Sequence, residues 1–156
     1  MRCDASRILE ALTAKAAETR DRDELGRAAI EAIRADMPQA SWVGIYWLDG
    51  GVLHLGPYDG PPTEHTRIEV GTGVCGTAVA RDEDIVVDDV RELDNYLACA
   101  AGVRSEIVVL IRAHGEVIGQ FDLDADEVGA FSDDDRCVLR AVADGFGGLI
   151  EPRPAN

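Results

Sequence analysis

The chain has 156 residues, the length of one ordinary domain, enough to bury roughly 70% of the surface its unfolded form would expose and too short for a two-domain enzyme. Thirty acidic against 15 basic side chains give a formal charge of -15, which opposes phosphate-backbone contacts, so neither nucleic acid nor an anionic membrane is expected as a partner. With 46% hydrophobic and 29% charged residues and no apolar run near the roughly 20 residues of a membrane span, the composition is that of a globular protein.

Met1 to Ser6 contain no apolar signal region, which leads to the expectation of a cytoplasmic protein. In that compartment Cys3, Cys75, Cys99 and Cys137 are expected to rest as thiols. No Cys-x-x-Cys pair and no His pair has metal-ligand spacing, so no metal site is expected.

In chain order, Ile8, Leu9, Leu12 and Ala16 recur at helical spacing over residues 7–19. Leu25, Ala28, Ala29, Ala32 and Ile33 repeat that pattern after a charged break. Residues 42–48 are aromatic and β-branched, and Asp49-Gly50-Gly51 offers a turn before residues 52–55, which predicts a hairpin. A loop containing Gly56, Pro57, Gly60, Pro61 and Pro62 leads to a short strand at 67–70, a glycine-rich turn and a short helix at 77–81. A strand at 85–87 precedes a long polar segment, 88–104, of the kind that often carries function. Residues 107–111 and 117–124 read as a second hairpin about Ala113-His114-Gly115-Glu116. Ser132 caps a final helix with Asp133, Asp134 and Asp135 at its positive end and Val138, Val142, Phe146 and Leu149 as its buried stripe. Terminal helices around five to six hairpin-joined strands indicate an α+β protein with an antiparallel sheet, one domain over residues 1–156 with its core at about 24–150 and an exposed tail at 151–156.

Several groups of residues could carry chemistry. Gly71-Thr72-Gly73-Val74-Cys75-Gly76 has the GxGxxG form of a dinucleotide loop, or is simply a tight turn whose glycines allow positive φ. Asp122, Asp124 and Asp126 alternate like the start of a calcium loop, but Glu127 stands where an EF-hand requires glycine, which rejects it. On a strand, Asp122 and Asp124 share one face while Phe121 and Leu123 take the other. Two such carboxylates either lie at a wet sheet end or repel until something cationic or proton-donating sits between them. Glu106 opens the preceding strand, either as a surface residue or as a third acid of the same pocket. Cys137 fits a buried small hydrophobe and Cys3 an incidental exposed thiol, whereas Cys75, in the glycine turn, and Cys99, in the long loop, are candidates for redox chemistry.

Together, Trp42-Val-Gly-Ile-Tyr46, Leu55-Gly-Pro-Tyr-Asp-Gly60, the 71–78 turn, Ala98-Cys99, Ser105-Glu-Ile-Val108 and Gly119-Gln-Phe-Asp-Leu-Asp124 resemble the free methionine-(R)-sulfoxide reductases, which are single GAF domains. The resemblance implies a GAF-like sheet and reduction of free L-methionine-(R)-sulfoxide, an oxidative-stress activity, without metal or organic cofactor. It implies Cys99 as nucleophile, Cys75 as resolving thiol, Glu106, Asp122 and Asp124 as holders of the substrate, and Trp42 and Tyr46 beside its methyl and sulfur. It further implies recycling by a thioredoxin-type dithiol and, by analogy with other GAF domains, a homodimer. His65 stands where many members carry another cysteine, in a loop one residue longer, which leaves Cys75 or an external thiol to resolve the sulfenic acid. The alternative expectation is a noncatalytic GAF module that binds a small ligand.

Overall fold

The structure is a computed structural model that describes residues 3–93 and 102–150. Two helices open the chain, α1 (Ser6–Ala16) and α2 (Arg22–Asp36), the second capped by the Asp21 carboxylate, which accepts from the Asp23 and Glu24 amides. The hairpin of β1 (Ala40–Asp49) and β2 (Val52–Asp59) follows, with Gly50 and Gly51 both at positive φ in the turn. Then come β3 (Arg67–Glu69), α3 (Gly73–Arg81), β4 (Ile85–Val87), a single 3-10 turn at Val90–Glu92, β5 (Ser105–Ala113), β6 (Glu116–Ala125) and α4 (Asp133–Leu149). Ser132 caps α4 as expected, and Asp135 completes a reciprocal capping box with it.

The strands form one antiparallel sheet in the order β3-β2-β1-β6-β5-β4. Its two faces are covered differently. Val43, Ile45, Trp47, Ile107, Val109, Ile111, Phe121 and Leu123 pack against α1, α2 and α4 through Ile8, Leu12, Leu25, Ile33, Val142 and Phe146. The opposite face carries Trp42, Tyr46, Val108 and Leu110 and is covered by α3 through Val74, Cys75 and Ala78. This is the α+β architecture with one antiparallel sheet expected from the sequence. An Arg140 guanidinium donates to both oxygens of Asp84 and to Leu110 O, while Asp84 also accepts from the Leu110 amide, which clamps α4 to β5.

Four expectations are corrected or refined. Gly56 and Pro57 lie within β2: the register shifts between Gly44 and Tyr46, and the bulge accommodates a proline that has no N–H to give. The helix after β3 begins at Gly73, so the glycine turn is itself the first turn of α3, and the neighbouring strands are antiparallel rather than a parallel βαβ unit. That removes the dinucleotide reading. The 88–104 segment contains the 3-10 turn, and Cys99 within it lies outside the described residues. Finally, Cys3 and Cys137 are not thiols but a disulfide, 134 residues apart in sequence with Cα atoms 5.6 Å apart, and Cys137 is half-buried rather than a core residue. Cys3 lies just before α1, whose buried Ile8 and Leu12 hold that end of the chain against the same side of the sheet as α4.

Candidate functional site

Strand alternation alone places Asp122 and Asp124 on one face of β6, and the β5–β6 register puts Glu106 on that same face. The ladder makes them neighbours: Glu106 pairs directly with Asp124, and Val108 with Asp122. On the other side of β6, Trp42 pairs with Asp124 and Gly44 with Asp122. The acids therefore lie on two interior strands, near the end where β5 begins and β6 finishes, and that end is dry rather than wet: Glu106, Asp122 and Asp124 are 1%, 0% and 0% exposed. Burial first, then the like charges of Asp122 and Asp124, push the Glu106 carboxyl well above its ordinary value.

Helix α3 closes over this patch. Gly76 lets the helix start tight against the turn that precedes it, because a Cβ there would meet Glu69 O at 2.5 Å and Gly71 N at 2.9 Å. The Cys75 thiol, in the first turn of α3, donates to Glu106 Oε2 at 3.8 Å. Its carbonyl accepts from Gln120 Nε2 at 3.0 Å, which fixes the start of the helix to β6. Cys75 is 5% exposed and, among the described residues, is the cysteine outside a disulfide.

The remaining wall is aromatic. Trp42 and Tyr46, both fully buried, stack with ring centroids 6.2 Å apart, and Tyr58 covers the other part of Trp42 at 5.5 Å. Trp42 Nε1 donates to Pro61 O and Tyr46 Oη donates to His65 O, so both rings are anchored to the loop after β2. Gly44 lets the indole lie flat on the strand, since a Cβ would come to 2.2 Å from Trp42 Cη2 and 2.4 Å from its Cζ3.

Six of the seven sequence candidates, Cys75, Glu106, Asp122, Asp124, Trp42 and Tyr46, thus sit on the α3-covered face of the sheet. The seventh, Cys99, lies outside the described residues. Sequence reasoning missed Gln120, although the period-2 pattern of Asp122 and Asp124 extends back to it, and missed Gly44 and Tyr58, whose roles depend on where the Trp42 ring lies. His65 contributes its backbone carbonyl. The donor atoms of Cys75, Glu106 and Asp122 all lie within 4.8 Å of one another, a grouping that no sequence spacing announces. Chemically, three acids and a thiol in a buried cluster favour a ligand that brings positive charge or several N–H donors, and a protonated carboxyl can give a proton to an oxyanion formed there.

The GAF domain family matches residues 19–151 of the chain. The free methionine-R-sulfoxide reductase of Escherichia coli is 42% identical over 102 residues, 65% of this chain and 61% of the relative, so the chain spans less than two thirds of that protein's length. Among solved structures, a type II free methionine-R-sulfoxide reductase from Thermoplasma acidophilum is 38% identical with a TM-score of 0.77, covering 83% of this chain and 94% of the other. The free methionine-R-sulfoxide reductase of Neisseria meningitidis, solved with its substrate, is 30% identical with a TM-score of 0.85, covering 93% of this chain and 87% of the other. The chain belongs to the GAF domain family, in the group that contains the free methionine-R-sulfoxide reductases.

Proposed function

We propose that this protein reduces free L-methionine-(R)-sulfoxide to methionine. The observation that carries the reading is the buried trio of Glu106, Asp122 and Asp124, walled by Trp42 and Tyr46 and facing a thiol. The α-ammonium of a free amino acid supplies three N–H donors and the positive charge that the aspartates lack from one another. The aromatic pair suits a thioether chain and its methyl group.

In this reading, the Cys99 thiolate attacks the sulfoxide sulfur while a protonated carboxyl, Glu106 or Asp124, donates to the sulfoxide oxygen. The methionine S–O bond then breaks as the Cys99 S–O bond forms, so methionine departs reduced by two electrons and Cys99 is left oxidised to a sulfenic acid. The Cys75 thiol then attacks that sulfur, expelling water and forming a disulfide, and a thioredoxin-type dithiol reduces the disulfide with two electrons. His65, at the place of a third family cysteine, leaves Cys75 or an external thiol as resolver. In this reading no metal or organic cofactor enters these steps, and the two electrons come from the external dithiol. A peptide-bound methionine sulfoxide lacks the ammonium and leaves buried acids unpaired, which restricts the substrate to the free amino acid.

The test is chiral chromatography of free methionine-(R,S)-sulfoxide incubated with the protein and excess dithiothreitol. Loss of the R epimer with stoichiometric methionine is the expected result. No loss of either epimer from folded protein with Cys75 and Cys99 reduced overturns the assignment in favour of a noncatalytic binding module.

A further inference from the structure

Cys75, Glu106 and Asp122 come from α3, β5 and β6 and converge with one donor atom each inside a 4.8 Å triangle, all buried. A tetrahedral zinc ion with a sulfur ligand at about 2.3 Å and an oxygen ligand at about 2.1 Å holds those two atoms about 3.6 Å apart. Cys75 Sγ and Glu106 Oε2 stand 3.8 Å apart. The second oxygen of Glu106 is buried with no hydrogen-bond partner among the described residues, so this side chain retains acceptor capacity inside the cluster. Thiolate plus carboxylate is a donor set for a borderline-soft divalent cation such as zinc and a poor one for calcium or magnesium, which take oxygen alone.

We propose that the Cys75, Glu106 and Asp122 triangle binds a zinc-class divalent cation, and that this ion excludes the amino acid from the same ground. Binding replaces the protons of the Cys75 thiol and of Glu106 by the metal and releases them to solvent, leaving Asp124 as the adjacent acid. The fourth tetrahedral position is open to Asp124 or to a water molecule. The ion acts here as a reversible inhibitor rather than as part of the reaction. Its exclusion of substrate rests on the proposed function, whereas the metal site does not.

The experiment is an anaerobic cobalt(II) titration of the Cys99→Ser protein with its Cys3–Cys137 disulfide intact. Cys75 is then the one thiol left of the four cysteines. One cobalt per chain is expected, with a near-ultraviolet thiolate-to-metal charge-transfer band that zinc displaces. The band disappears on adding Cys75→Ser, and affinity falls by on the order of 10-fold or more in Glu106→Gln and in Asp122→Asn. Far-ultraviolet circular dichroism selects whichever carboxyl variant is folded. Absence of the band at roughly hundredfold excess cobalt, a band that survives Cys75→Ser, or affinity unchanged in a folded carboxyl variant overturns the site. Saturating free methionine sulfoxide is expected to suppress the band. A band indifferent to it overturns the competition and the placement of the substrate while the metal site stands.

Discussion

Replacing Cys3 by serine opens a loop that spans nearly the whole chain, because the disulfide joins residues separated by 134 positions. The entropy removed from the unfolded state by closing a loop of that length corresponds to about 5 kcal/mol at 25 °C, and measured cross-links commonly deliver about 2–4 kcal/mol. The upper part of that range applies only if both ends are docked in the folded state. They are: Ile8 and Leu12 of α1 are 1% and 0% exposed, and Cys137 lies in α4 beside the buried Val138 and Leu139. At roughly 2–4 °C per kcal/mol for a protein of this size, a loss of about 3 kcal/mol lowers Tm by about 10 °C. Guanidinium unfolding followed by circular dichroism, comparing oxidised protein, Cys3→Ser and Cys137→Ser, measures the difference. Both variants and the reduced wild type are expected at one common, lower midpoint. A variant midpoint equal to that of the oxidised protein refutes the argument, since the chain ends would then not be held by this bond. Turnover well below the transition is expected to be nearly unchanged in Cys137→Ser, because α4 packs on the sheet face opposite the acids.

Glu106→Gln tests the buried proton: the native carboxyl titrates above its unfolded value, so its stabilising contribution is complete below about pH 4.5 and declines as pH rises towards the native pKa, with a slope of up to about 1.4 kcal/mol per pH unit. Urea midpoints measured from pH 4.5 upward should therefore fall less steeply in Glu106→Gln than in wild type, and parallel profiles would count against the protonated state. Gly44→Ala places a methyl against the Trp42 ring and should cost about 1–3 kcal/mol of stability, with a KM for the sulfoxide raised more than kcat is lowered. Wild-type KM and Trp fluorescence in that variant would show that the indole does not rest on Gly44. Cys99→Ser should abolish turnover of the R epimer while leaving circular dichroism unchanged, and residual activity near wild type would remove Cys99 as nucleophile.

Much of the architecture is legible locally. The 3.6-residue apolar spacing of α1 and α2, the Ser132 cap and the Asp49-Gly50-Gly51 turn each express a preference that a few consecutive residues enforce. The alternation Phe121, Asp122, Leu123, Asp124 likewise settles that the two aspartates share a face, because successive side chains of a strand point to opposite sides. Local pattern misleads at Gly56-Pro57, which reads as loop but is carried inside β2 by a bulge whose partner residues lie in β1.

What the sequence by itself determined is therefore the periodicity of each element and the grouping of side chains by face. Which face is dry, and what lies opposite the acids, was decided only by tertiary structure. Helix α3 covers one face of the interior strands and brings Cys75 to 3.8 Å from a carboxyl 31 residues away, and the packing of α1 and α4 on the other side of the sheet joins Cys3 to Cys137. Burial of a charged group and pairing of distant thiols depend on the positions of groups far apart along the chain, whereas strand and helix periodicity depends on backbone geometry over a few residues.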